Sequence, residues 1–357
     1  MTPRAFFSRS PAAAALPENV TSARPEPVGL RTKEHEHPLL APRPGVYLLI
    51  LLAAALGASA FSLRHDGIFA CKASGYGSDR FLSYCQAKKY GDYDHGAFWF
   101  VLEPAASQAA ANAQVLFLGN SRLQLGFSTE ATAGWFSSLS IRYYLLGFSH
   151  NENYNFEAPL LRKLNPRAKA LVVNLDLFFA PVETPPARTV MEEADARTRY
   201  GGKQVWQRVH RAICEPLPTV CGEEYVIFRS RATGAWLVTG GLHEKAPVTY
   251  EHHVDRAMLN AYTAAAEVFL SRLSIPRECV LLTLVPNGNT EIGTAKAIAA
   301  ALGLELVAPE LDDLSTFDGL HLDRSSAERW STAFIQVAGP QIRRCVDPGP
   351  STLSQAH

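Results

Sequence analysis

Between residues 113 and 345 the sequence predicts an α/β fold built on a doubly wound parallel sheet, with an N-terminal transmembrane helix ahead of it. Three observations carry that expectation. Short apolar runs, among them Val115–Leu118, Ala170–Leu175 and Cys279–Leu284, end in turn residues and alternate with stretches of helical length and period. The run Val46–Leu63 holds no charged residue. All six cysteines lie after that run and none before it.

Taken in order, residues 1–45 are rich in Pro, Ala, Ser and charge without a lasting apolar period, which predicts a disordered tail. Val46–Leu63 is at the short end of what spans a bilayer as a helix, and a buried core helix would rarely lack a polar face. Arg31, Lys33 and Arg43 precede it and Arg64 follows, a modest bias toward an inside N-terminus. Ala58-Ser59-Ala60 has the small-residue pattern of a signal-peptidase site. The long leader before it favours an uncleaved signal anchor. Residues 64–112 read as a connector whose one apolar run is Phe98–Leu102, suited to core packing or to an interfacial anchor.

The expected α/β domain then runs from 113 to 345. Strand Val115–Leu118 is followed by a helix near Thr129–Leu139, strand Arg142–Leu146, helix Asn155–Leu164 stopped at Asn165-Pro166, and strand Ala170–Leu175. Residues 182–248 are too long for a plain loop and read as an insertion, a candidate lid or acceptor-docking element. A helix over 251–273, strand Cys279–Leu284, helix Thr290–Leu302, strand Leu304–Val307 and a helix from Ser325, its expected cap, to about Val337 complete the pattern. Residues 346–357 read as a second disordered tail.

The composition narrows the function classes. Lys plus Arg equals Asp plus Glu, 34 each, so no overall field favours nucleic acid. Six cysteines on one side of an apolar run predict disulfides in an oxidising compartment. The candidates are Cys71, Cys85, Cys214, Cys221, Cys279 and Cys345, and nearest-neighbour pairing joins the first two, the middle two and the last two. No spacing suits zinc, His252-His253 reads as a solvated pair on a helix, and neither metal nor cofactor is expected.

Two short stretches carry chemistry. Val115–Leu118 runs into Gly119-Asn120-Ser121-Arg122, which puts Ser121 just beyond a strand end, the edge where ligands collect in open α/β sheets. By itself this is an ordinary strand-to-helix turn capped by Asn120 or Ser121. Nearly at the other end lies Asp318-Gly319-Leu320-His321-Leu322. A serine nucleophile needs a base at its oxygen, and the base needs a carboxylate to fix its tautomer. Alone, Asp-x-x-His is an exposed polar turn; the two stretches together match Ser-His-Asp chemistry.

These residues resemble the SGNH (GDSL-like) hydrolase superfamily in its membrane-anchored bacterial branch. Apolar strand-Gly-Asn-Ser121 is similar to its nucleophile block and Asp318-x-x-His321 to its final block. The resemblance covers roughly residues 113–338 and implies a flavodoxin-like sheet with Ser121, His321 and Asp318 as catalytic residues. It also implies oxyanion donors: the Ser121 N–H, a glycine N–H after the second strand and an asparagine after the third. The glycine slot falls on His150, with Gly147 as the alternative. The third strand carries Asn174 inside Val173-Asn174-Leu175-Asp176 rather than the family's Gly-x-Asn-Asp, and Asn151 and Asn153 are nearby substitutes.

The expected activity is that of an esterase or O-acyltransferase acting on an ester of an extracytoplasmic glycan or envelope polymer. The substrate class comes from anchored relatives in polysaccharide acetylation and teichoic-acid D-alanylation. The expected setting is a single-pass inner-membrane protein with its domain in the periplasm or outside the cell. A membrane acyltransferase is the candidate partner. The rival expectation is a non-catalytic anchored scaffold or glycan-binding subunit of an envelope polysaccharide assembly system.

Overall fold

The computed structural model describes residues 44–239 and 245–347. Apart from their inner ends, the tails expected at 1–45 and 346–357 lie outside the described residues. Helix α1 (Pro44–Asp66) is long and apolar enough to cross a membrane by length and composition, and none of its apolar window is buried.

After α1 come β1 (Arg80–Cys85), β2 (Gly91–Asp92), α2 (Asp94–Trp99) and α3 (Pro104–Asn112), then β3 (Val115–Asn120), α4 (Ser121–Phe127), α5 (Glu130–Ser138) and β4 (Tyr143–Phe148). The chain continues through α6 (Tyr154–Leu164), β5 (Ala170–Asn174), α7 (Pro185–Glu192), α8 (Ala196–Cys214), β6 (Val226–Ser230), β7 (Trp236–Thr239) and β8 (Ala246–Pro247). It ends with α9 (Arg256–Leu270), β9 (Val280–Thr283), α10 (Ile292–Leu302), β10 (Glu305–Leu306), β11 (Ser315–Thr316) and α11 (Arg324–Val346).

Five strands form a parallel sheet in the order β10-β9-β5-β3-β4. In order of appearance that is 2-1-3-4-5, a doubly wound arrangement. The strands read as continuous apolar runs because both faces are buried. Leu116 and Leu118 of β3 face a core shared with Phe156, Leu160, Ala266 and Ile298 from α6, α9 and α10. Val115 and Phe117 face the other way, onto Phe136, Trp330 and Phe334 from α5 and α11. The order of connection reverses between β3 and β5, so a crevice opens at their carboxyl ends.

A second, antiparallel sheet has the order β2-β1-β6-β7. It joins the segment before the parallel sheet to the long insertion, pairing Phe81 with Arg229 and Cys85 with Val226. Arg229 fastens it to β4. Its buried guanidinium binds Asp94 at 2.6 Å and donates to the carbonyls of Gly147, at 3.1 Å, and Leu145. The rings of Phe98 and Phe148 flank it at 4.7 and 5.1 Å.

The disulfides are Cys71–Cys85, Cys214–Cys221 and Cys279–Cys345, the nearest-neighbour pairing. Some local expectations shift. Asp323, not Ser325, caps α11 by accepting the Ser326 N–H at 2.8 Å. That helix also runs through Gly339-Pro340 to Val346. His252 and His253 precede α9 rather than lying on it.

Candidate active site

Strand β3 ends at Asn120, which caps α4 by accepting the Arg122 N–H at 3.0 Å and leaves Ser121 as the first residue of the helix. Gly119 makes the turn possible. Its φ is +152°, and a Cβ there would meet the Asn174 Cβ at 3.0 Å. The Asn120 amide donates to the Asp176 carboxylate at 2.8 Å and to its backbone carbonyl at 3.0 Å, and Arg122 pairs with the same carboxylate. The loops after β3 and β5 are thereby joined across the crevice.

The second half of the site hangs from β11, which pairs with β8 at the exit of the insertion. Asp318 closes a tight turn: its Oδ1 accepts the N–H groups of Leu320 at 2.9 Å and His321 at 2.8 Å. Gly319, at φ +80°, carries the chain through it and accepts the Gly288 N–H at 2.9 Å. Phe317 stacks on the His321 ring with centroids 5.6 Å apart.

The two halves meet across 200 residues of sequence. The Ser121 hydroxyl is 2.8 Å from His321 Nε2, and His321 Nδ1 is 2.7 Å from Asp318 Oδ2. Burial would raise the Asp318 carboxyl, but the hydrogen bond and charge of His321 and the two N–H donors hold it net below its ordinary value. An ionised Asp318 favours a proton on Nδ1 and a free lone pair on Nε2 facing the serine. Such a relay can take a proton from a hydroxyl as it attacks a carbonyl.

The expected oxyanion residues are placed differently from one another. Gly147 lies within β4, paired with Gly119, and its carbonyl accepts from Gln124 and Arg229. His150, at φ +63°, and Asn151, at φ +55°, form a left-handed turn just after β4. His150 Nδ1 is 2.7 Å from the Ser149 hydroxyl. Asn174 ends β5, buried, and its Oδ1 accepts the Val285 N–H at 2.9 Å. Its amide nitrogen has no partner among the described residues. Asn153 is committed to capping α6 and to the Val182 carbonyl.

Sequence reasoning missed several residues that shape this site. Arg122 and Asp176 bracket the serine turn. Glu157, buried on α6, accepts the Gly119 N–H at 3.0 Å. Burial and, next, the charge of Glu152 push its carboxyl well above the ordinary range. Tyr225, just before β6, sits in the field of Asp318: burial raises its hydroxyl, and the Asp318 charge adds to the effect. Tyr84 meets its ring edge-to-face at 6.3 Å and the His150 ring at 6.1 Å. Asp176 and Tyr225 lie beside strand ends, which is a local signal, whereas Glu157 sits within α6 and gives none. His210, Cys214 and Cys221 also converge, but the two sulfurs are bonded to each other and His210 is held by Tyr76 and the Cys71 carbonyl.

Compared with protein-family models, curated proteins and solved structures, the chain finds no match.

Proposed function

We propose that this protein is a serine acyl-transfer enzyme, held to the membrane by α1, and that its α/β domain is of the SGNH hydrolase kind. The observation that carries the reading is the continuous Ser121–His321–Asp318 relay at the carboxyl edge of the sheet. In the reaction His321 Nε2 accepts the Ser121 proton as Oγ bonds to an ester carbonyl carbon. The tetrahedral oxyanion forms at the N-terminus of α4, where the Ser121 N–H and the helix dipole favour negative charge. His321 then returns the proton to the departing alkoxide, leaving an acyl-Ser121 ester. Water or a sugar hydroxyl, deprotonated by His321, attacks that ester and regenerates the serine. His150 and Gly147 remain candidates for a second oxyanion donor.

Tyr225, which lies in the field of Asp318 and meets Tyr84 edge-to-face, supports a sugar-bearing substrate, since aromatic rings offer apolar surface to pyranose faces. Three disulfides on the far side of α1 support an oxidising, extracytoplasmic setting. The test is labelling with a fluorophosphonate, which reacts with an activated serine. Wild type labels on Ser121, and prior loss of His321 abolishes it. An unlabelled, folded wild type would favour the anchored scaffold instead, a reading helped by the commitment of the Asn174 side-chain oxygen to Val285.

A further inference from the structure

We infer that α8 is a membrane-seating helix, which lies against anionic lipid headgroups with Trp206 and Ile213 in the bilayer interface and fixes how the domain stands over the membrane. The inference rests on the anchored reading of α1 and concerns a surface remote from the triad in sequence.

Helix α8 buries one face, through Ala196, Tyr200, Gln207, His210 and Cys214. At about 3.6 residues per turn, Trp206 and Ile213 share a different face, with the half-buried Val209 between them packed partly against the core. Val205 and Trp206 are 57% and 50% exposed, and just past the helix Leu217 and Val220 are 56% and 46% exposed. A solvated helix has no reason to present such a row.

The charge on the helix is one-sided. It carries Arg197, Arg199, Lys203, Arg208 and Arg211 and no acidic residue. Arg199 and Arg211 reach neighbouring carboxylates of their own segment, and Lys203 donates to the Asp92 carbonyl. Arg197 and Arg208 have no ion-pair partner among the described residues. Arginines beside an apolar stripe with a tryptophan are the pattern of a helix lying in a membrane interface, where the aliphatic stems lie on the apolar edge and the charges meet phosphate.

Chain connectivity supplies the occupant. Ile68 and Phe69, directly after α1, are buried beside α8. The Phe69 carbonyl accepts the Gly222 N–H at 2.7 Å, the Ala70 carbonyl accepts the Glu224 N–H at 3.0 Å, and the Cys71 carbonyl lies 3.0 Å from His210 Nε2. From Ser62, the end of the apolar window, to Ile68 the backbone reaches at most about 20 Å. The linker between the apolar window and the segment packed on α8 is therefore short.

The test uses the full chain in proteoliposomes of phosphatidylglycerol and phosphatidylcholine, with and without brominated acyl chains that quench nearby tryptophan. Of the five tryptophans, only Trp206 is expected in contact with lipid. Bromination should therefore lower wild-type emission by roughly one tryptophan's share, and Trp206→Phe should lose most of that drop. Ile213→Asp should relieve the quenching with an unchanged thermal melt. Equal quenching in wild type and Trp206→Phe, or none in protein that floats with the vesicles, would overturn the inference. Relief that grows with the protein-to-lipid ratio would also overturn it, as a second copy would then cover the stripe. Failure to float would refute the anchor reading and this one together, whereas fluorophosphonate labelling tests the serine chemistry separately.

Discussion

Glu157 accepts the N–H of Gly119 at 3.0 Å, so a buried carboxyl on α6 holds the strand end two residues before Ser121. Burial pushes that carboxyl well above its ordinary range and so favours the neutral form, and a neutral acceptor should serve equally well. Glu157→Gln is expected to keep near-wild-type turnover. Glu157→Leu strands a buried N–H at a cost of about 1–3 kcal/mol and frees the turn. Its kcat should fall at least tenfold with KM little changed. Equal activity in the Leu and Gln variants would remove the positioning role.

For the triad, Ser121→Ala and His321→Ala are each expected to cost on the order of 10⁴-fold in acyl transfer, and the double variant little more, because such residues act as a unit. Asp318→Asn should also cost orders of magnitude, since the amide no longer favours a proton on Nδ1. Hydrolysis of 4-nitrophenyl acetate, with a thermal melt of each variant, provides the check. A Ser121→Ala protein that melts normally and keeps full activity on its native acceptor would sink the assignment.

Stability should fall at alkaline pH because of His95. This buried ring lies 2.9 Å from Asp92 and 2.8 Å from Glu152. Burial disfavours its charge, but the two carboxylates win and raise its pKa from 6.5 to about 10. A raised histidine contributes its full stability below its unfolded value of 6.5 and loses it as pH climbs toward 10. The melting temperature should therefore drop between pH 6.5 and 9.5. His95→Gln, which strands buried carboxylates at a cost of about 3–5 kcal/mol, should hurt more at pH 6 than at pH 9.5. A flat wild-type profile over that range would contradict the charged ring.

The Cys279–Cys345 bridge ties the start of β9 to the last turn of α11 over 66 residues. On chain-entropy grounds, replacing both cysteines with serine should cost about 4 kcal/mol or somewhat less. Denaturant midpoints of the two proteins measure it. Alkylation of denatured but unreduced protein should label no cysteine, and labelling of this pair would remove the argument.

The parallel sheet was legible because strands buried on both faces leave unbroken apolar runs such as Val115–Leu118 and Ala170–Leu175. The triad was legible because each half is local, Ser121 at a strand end and Asp318-x-x-His321 in one turn. The second sheet was not: pairing Phe81 with Arg229 depends on contacts that no local period announces. Buried charges carry no local signal: Arg229, Glu157 and His95 are fully buried beside partners distant in the chain. Helix α11 runs past its expected end near Val337, through Gly339-Pro340 to Val346, with Ala338 and Ile342 packed into the core.

The loops that carry Ser121 and His321 lie 200 residues apart in the chain. Contacts so distant in the chain form late, because loop closure must be completed before they contribute. Strands β3, β4 and β5 can assemble as the chain emerges, but Ser121 has no base until the β11 loop and α11 arrive. On the proposed chemistry a growing or partly refolded chain should not turn over esters, and in refolding the return of activity should mark the last long-range docking event rather than collapse of the core.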